Sequence, residues 1–446
     1  MSIYNWAIIA WTITFFILSN KLYGERSNPC NLMNIIWCIC STFSTFGWFD
    51  LYIPSEKTFK LILIYLLVFS MICSFCHLIL NMRIHNSSRS SFPNVDINCT
   101  LLYRTYFIMC ILIIPILIKG LPLAIGSGLK SLHNSFLLGA SGYMGFVGFY
   151  CYAYIIRPFI SAFSVVAAYS VGIESKESKK MIFLSLVGGL IHYIVAGGRK
   201  EIFNLIIFIT IVMMIRGKRS IPIWLKKKKL YIDTASVVWK VMIIGIFIIA
   251  ALAIMTMYRL HFGLGVLGTF WMYFVGPMDY LDVIINNPGK FGLSGDSFLY
   301  GKATWGFFTG PIETFLRIFL RQDYQGADYL MGMYTEKYYM ISPKARINAT
   351  TTIIYPFLKD YGDIGIIVGT LQFAVIISLI YFIGKNGKSK NMWMCILIYM
   401  FFTILFSVWR YTLVYYDGYM TLIWLVLLFK MRIVTNQNSE MKHVRE

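Results

Sequence analysis

Apolar runs recur along most of the chain, each bounded by a polar turn. They fall at about 3–19, 32–48, 60–80, 105–124, 140–172, 181–196, 202–215, 238–258, 364–383, 392–408 and 414–430. Most approach the roughly 20 residues that a helix needs to cross hydrocarbon, so the pattern predicts about eleven transmembrane helices. The first run lacks the basic flank and small-residue cleavage site of a signal peptide and is kept as a helix. The fifth run is long and contains Arg157-Pro158. A kink there, or two shorter segments meeting there, are alternatives, and the run is kept whole. The stretch 264–285 is also apolar, but Pro277, Asp279 and Asp282 argue against a simple crossing and point to a re-entrant or interfacial segment.

One long hydrophilic segment remains, 259–363, between the eighth and ninth runs. It holds nine of the chain's 20 acids: Asp279, Asp282, Asp296, Glu313, Asp323, Asp328, Glu336, Asp360 and Asp363. Loops longer than about 15 residues are usually functional. This one carries short amphipathic stretches such as 312–320, and too many aromatics for a disordered tail. The expected organisation is eight helices over 1–258 with a polar turn at 197–201, a large loop over 259–363, three helices over 364–434 and a polar tail over 435–446.

Composition narrows the class. Of 446 residues, 58% are hydrophobic and 13% charged, with a mean hydropathy of +0.67, which no soluble domain matches. A net charge of +20 in a soluble protein would suggest nucleic acid; here topology accounts for most of it, and no nucleic-acid partner is expected. Lys226, Lys227, Lys228 and Lys229 fix the loop 216–240 as cytoplasmic. Alternating outward from it, cytoplasmic loops gather 23 Lys and Arg, against seven in the short outer loops. The bias predicts an outer N-terminus, an inner C-terminus, and an outer position for both the 197–201 turn and the long loop. The nine cysteines mostly lie within apolar runs and read as small hydrophobes.

The candidate chemistry gathers on the outer side. Gly197-Gly198-Arg199-Lys200-Glu201 interrupts hydrocarbon between two runs. Two glycines leave backbone N–H groups free to turn toward an anion, and a helix follows directly, which is the physics of a phosphate cradle. A plain turn with its cations at the headgroups is the alternative. Arg259 ends the eighth run, Arg346 lies in Pro343-Lys344-Ala345-Arg346-Ile347-Asn348, and Arg410 follows the tenth run. Several guanidiniums on one membrane face suit a diphosphate, because Arg grips phosphate oxygens as a fork. Snorkelling interfacial Arg is the plainer account of each residue alone. Arg157 differs: it lies near the middle of an apolar run, where a charge is costly and defaults to a paired or functional role. No acid is expected in a neighbouring run to pair with it, which leaves a polar cavity or a lipid phosphate. Gly295-Asp296-Ser297 resembles the nucleophile block of some esterases, but only His443, in the predicted cytoplasmic tail, follows it in that family's order. No His, Asp and Glu cluster has metal-ligand spacing and no P-loop or dinucleotide fingerprint appears, so neither a metal nor a cofactor is expected.

Gly197-Gly198-Arg199 between two runs resembles the corresponding turn of bacterial oligosaccharide repeat-unit polymerases, the Wzy-type O-antigen polymerases. Asn348-Ala349-Thr350-Thr351, Tyr355-Pro356-Phe357 and Asp360-Tyr361-Gly362-Asp363-Ile364-Gly365 resemble that family's approach to the span after its large periplasmic loop, and Tyr258-Arg259 is similar to the end of the preceding span. The resemblance covers mainly 181–383. It implies an all-α, GT-C-like polytopic glycosyltransferase of the bacterial inner membrane. The implied substrates are an undecaprenyl-diphosphate-linked oligosaccharide donor and acceptor on the periplasmic face, with a chain-length regulator protein as a possible partner. Arginines in two periplasmic loops are the family's expected diphosphate binders, and they match Arg199, Arg259 and Arg346; Lys200, Arg410 and Arg157 complete the candidate set. A lipid diphosphate leaving group needs cations rather than a strong acid. The acceptor hydroxyl needs a base, for which Asp279, Glu313 and His261 are the candidates. Trp271, Trp305 and Tyr300 are candidates for stacking on sugar faces, with interfacial anchoring as the alternative. An O-antigen ligase would share nearly every feature. A flippase or other transporter would be expected to show repeat symmetry and would not need the acid-rich loop.

Overall fold

The structure, a computed structural model, describes residues 1–82, 95–97, 99–126, 131–132, 135–136, 142–196, 200–216, 264–319, 325–347, 350–386, 390–430 and 434–436. The helices run in order α1 (Ile3–Tyr23), α2 (Pro29–Ser44), α3 (Glu56–Met82), α4 (Cys99–Gly126), α5 (Gly145–Gly172), α6 (Ser178–Ala196) and α7 (Lys200–Arg216). They continue with α8 (Gly265–Asn286), α9 (Gly306–Phe319), α10 (Ala327–Thr335), α11 (Ile354–Tyr361), α12 (Gly365–Asn386), α13 (Lys390–Phe406) and α14 (Tyr416–Lys430). Two short antiparallel pairs join β1 (Val95–Ile97) to β4 (Val434–Asn436), and β2 (Tyr339–Ser342) to β3 (Ala345–Ile347).

Among the described residues six helical runs are long and apolar enough to cross a membrane: α1, α3, α4 as far as Leu123, α5, α6 and the run Ile354–Asn386. The chain is thus a mostly helical, membrane-embedded protein. Shorter helices α2, α7, α13 and α14 occupy four more of the expected runs, and the run at 238–258 lies outside the described residues. α8 is not among the crossing helices.

The described residues form two compact units. The first holds α1–α3, α8–α11, β2 and β3, most of α12, and the segment Thr403–Val414. Its centre is aromatic: Phe357 lies 6.5 Å from Tyr65 and 5.8 Å from Tyr411, and Phe373 lies 6.0 Å from Phe69 and 5.7 Å from Tyr411, ring centre to ring centre. Trp37 Nε1 donates to Ser407 Oγ at 2.8 Å, so its indole N–H is satisfied inside the core. The apolar run Ile354–Asn386 breaks at Gly362, whose φ of 64° a side chain rarely adopts. α11 then lies directly on α12: a Cβ at Gly365 would strike the Phe357 carbonyl, and one at Gly369 its ring.

The second unit holds α4–α7, the end of α12, most of α13, and α14. α5 is its axis. From Arg157 to Ser170 every residue is buried, among them the small residues Ser161, Ala162, Ser164, Ala167 and Ala168 that let neighbouring backbones approach. Ser164 and Ser185 hydroxyls meet across α5 and α6 at 2.6 Å. Arg157-Pro158 does not split this helix. A π-turn over Cys151–Ile156 precedes it, with Arg157 N–H donating to Tyr152 O. The wider turn accommodates the ring of Pro158, which cannot donate to the helix ladder.

Candidate functional site

The second unit contains a buried ionic cluster where the π-turn of α5 meets the starts of α7 and α14. Arg157 leaves the π-turn of α5. Its Nε lies 3.4 Å from Glu201 Oε1, and its Nη2 donates to Asp417 Oδ2 at 3.2 Å. Lys200 Nζ donates to that same Oδ2 at 2.7 Å. Glu201 is fixed further by Ser161 Oγ at 2.5 Å and Asn204 Nδ2 at 3.3 Å. Glu201 and Asp417 each stand in the first turn of a helix, α7 and α14, where the helix dipole favours a negative charge. Side-chain exposure separates the members: Glu201 is 1% exposed, Asp417 7%, Arg157 11% and Lys200 29%. Lys200 is therefore the cation that can reach a ligand. In the same unit, the buried Tyr152 hydroxyl and His192 Nδ1 are hydrogen-bonded.

The expectation for Arg157 is corrected here: two carboxylates pair with it. Hydropathy leaves Glu201 in the turn 197–201 and puts Asp417 at the edge of the run 414–430, whereas both stand in the first turn of a helix and enter the bundle. Lys200 is joined to Arg157 through Asp417, as one site. Arg199, Arg259 and His261 lie outside the described residues.

The other candidates belong to the first unit. Asp279 and Glu313 are both buried, but their surroundings differ. Glu313 accepts from Ala327 N at 3.3 Å, where α10 begins. Neither carboxyl oxygen of Asp279 has a hydrogen-bond partner among the described residues. Burial, with the nearby Asp282 charge adding to it, pushes the Asp279 pKa well above the usual carboxylate range. Two other acids of this segment are structural. Asp282 accepts from Ser55 N at 2.8 Å, Thr58 Oγ1 at 2.7 Å and the Ser55 hydroxyl, holding the start of α3. Asp360 accepts from Ala303 N at 3.0 Å, Thr304 N at 2.6 Å and Thr304 Oγ1 at 2.5 Å. Arg346 is exposed on β3, its guanidinium 5.1 Å from the Tyr338 ring centre. Arg410 follows α13, its N–H donating to Phe406 O at 2.7 Å. Trp271 packs 4.7 Å from Trp48, Trp305 packs against Phe307 and Phe308, and Tyr300 is 76% exposed. The Ser297 hydroxyl donates to Gly292 O at 2.6 Å and Ser294 O at 2.8 Å, which is a turn rather than an activated nucleophile.

No family model matches the chain, and no curated protein or solved structure matches it.

Proposed function

We propose that the chain is a glycosyltransferase of the bacterial inner membrane that polymerises undecaprenyl-diphosphate-linked oligosaccharide repeat units into a surface polysaccharide on the periplasmic face. The observation that supports this most is the convergence of Arg157 and Lys200 on Asp417, immediately after Gly197-Gly198-Arg199 in the chain. Two cations and two carboxylates hold one another in place, so the protein's own side chains orient the cations. Charge develops on the diphosphate as its bond to the anomeric carbon breaks, and fixed cations stabilise it there. Lys200, partly exposed, and Arg199 beside it are assigned that task. Arg157, committed to Glu201 and Asp417, is a positioning residue.

As the acceptor oxygen bonds to the anomeric carbon, its proton must leave. Among the acids of the first unit, taken by itself, Asp279 has the chemistry of a base: its oxygens are uncommitted, while Asp282 and Asp360 are spent on backbone and hydroxyl donors. A carboxyl that resists ionisation is a stronger base once ionised.

The test is the glycan ladder of a strain lacking the chain. Lipid-anchored product carrying single repeat units is expected, with polymer restored by the wild-type chain and not by Lys200→Ala. Complete loss of capping would instead mean a ligase or a flippase.

A further inference from the structure

We infer that α9 lies in the plane of the bilayer, with its Phe308, Ile312 and Phe315 face buried where lipid headgroups meet acyl chains. These three residues stand at i, i+4 and i+7, one stripe of a helix. Among the described residues they are 60, 62 and 54% exposed. A contiguous apolar stripe of this kind marks a surface that meets something other than water. The other face of α9 is turned inward: Glu313 is buried and accepts from Ala327 N.

Three features point to lipid as the occupant. The first is length. Fourteen residues make a helix of about 21 Å, short of the roughly 30 Å of hydrocarbon, and Glu313 stands near its middle, so α9 lies along a membrane rather than across it. The second is where α9 begins. The Tyr411 hydroxyl donates to Thr304 O at 3.0 Å, and a Cβ on Gly306 would meet Val414 Cα at 2.7 Å. Tyr411 and Val414 belong to the segment Thr403–Val414 of the same unit, by which the chain leaves the apolar helix α13, so α9 starts against the exit of an apolar helix. The third is chemistry. Trp305, Phe307 and Phe308 cluster at that start with ring centres 4.2–5.8 Å apart, an aromatic group of the kind that anchors at headgroup level. A helix with these properties buries its apolar face about 5–10 Å below the headgroups. The inference stands apart from the proposed reaction and survives its failure.

The test uses the full chain in nanodiscs of phosphatidylcholine and phosphatidylglycerol, with the photo-crosslinking residue p-benzoylphenylalanine placed in turn at Phe308, Ile312, Phe315 and the fully buried Phe291. At 308 and 315 an aromatic replaces an exposed aromatic, so folding is not at stake. After irradiation, mass spectrometry should find phospholipid adducts at all three stripe positions, several-fold above position 291. Adducts confined to another segment of the chain, or to a second copy, would overturn the inference, because protein would then cover the face. Absence of both lipid and protein adducts would overturn it as well, since the stripe would then face water.

Discussion

Asp417→Asn is the sharpest perturbation of the ionic cluster. Its Oδ2 receives both Arg157 and Lys200, at 3.2 and 2.7 Å, and the carboxylate is 7% exposed. Removing that charge leaves two cations together with Glu201 alone. Leaving a buried charge uncompensated costs about 3–5 kcal/mol. Lys200 is 29% exposed and can turn toward water, so the lower end applies, about 3 kcal/mol, or on the order of a hundredfold in the folding constant. Glu201→Gln should cost less, about 1–2 kcal/mol, because Asp417 still receives both cations while a Gln oxygen accepts from Arg157 and Ser161. The double variant Arg157→Met/Asp417→Asn should cost less than the sum of its parts by about 1–3 kcal/mol, since each single change strands the other partner. Reversible unfolding in mixed micelles titrated with dodecyl sulfate measures these three variants, and Arg157→Met alone, against wild type. Asp417→Asn within about 0.5 kcal/mol of wild type, or less costly than Glu201→Gln, would refute a buried network centred on Asp417.

Arg199→Ala should reduce polymerisation ten- to a hundredfold, corresponding to about 1.5–3 kcal/mol of charge-assisted contact, with only partial rescue by Arg199→Lys; full-length glycan from a well-expressed Arg199→Ala chain would make the turn purely structural. An impermeant maleimide applied to intact spheroplasts should label a cysteine at position 297 and not one at 228, and the reverse pattern would sink the topology. For Asp279 the direction of the shift fixes the sign. The folded state favours the neutral carboxyl, so its stabilising contribution is complete below the usual aspartate pKa of about 3.9 and is lost as pH rises through the elevated value. Asp279→Asn should therefore match wild type in melting temperature at acid pH and exceed it increasingly toward neutral and alkaline pH. Parallel melting profiles throughout would mean that the carboxyl is solvated. If Asp279 is also the base, wild-type turnover should rise with pH above the ordinary carboxylate range and be absent in the amide variant.

The helices were legible because a membrane allows few alternatives. Backbone polar groups in hydrocarbon must be satisfied within the segment, so each apolar run becomes a helix. α8 is a helix as well, and Pro277, Asp279 and Asp282 keep it out of the helices apolar enough to cross. Backbone detail was not legible. Nothing in the residue pattern distinguishes the π-turn at Cys151–Ile156 from ordinary helix, because Pro158 permits a kink, a break or a bulge, and packing selects among them. Similarly, Asp360-Tyr361-Gly362-Asp363-Ile364-Gly365 could be noticed as a motif, but its physical meaning emerges only with Phe357 lying on the bare backbone of Gly365 and Gly369.

The cluster around Arg157 was within reach of elimination, although not of local pattern. A guanidinium inside an apolar run requires an anion, because desolvating it alone costs far more than a fold can supply. Outside the long loop, the turns on the same predicted side of the membrane contain three acids, Asp50, Glu56 and Glu201, and Asp417 stands at the outer edge of the run 414–430. Asp50 is paired on the surface with Lys344 at 2.9 Å, and Glu56 opens α3. Glu201 and Asp417 remain, and both pair with Arg157. Glu201 is hidden because hydropathy leaves it in the turn 197–201, and Asp417 because a lone acid at the edge of an apolar run reads as interfacial, whereas in three dimensions both first turns already belong to the bundle. The same feature explains why this end of the unit can hold charge at all. Each acid arrives at the positive end of a helix dipole, and the cations arrive from a π-turn and from the residue after Arg199, so backbone geometry itself brings the opposite charges together.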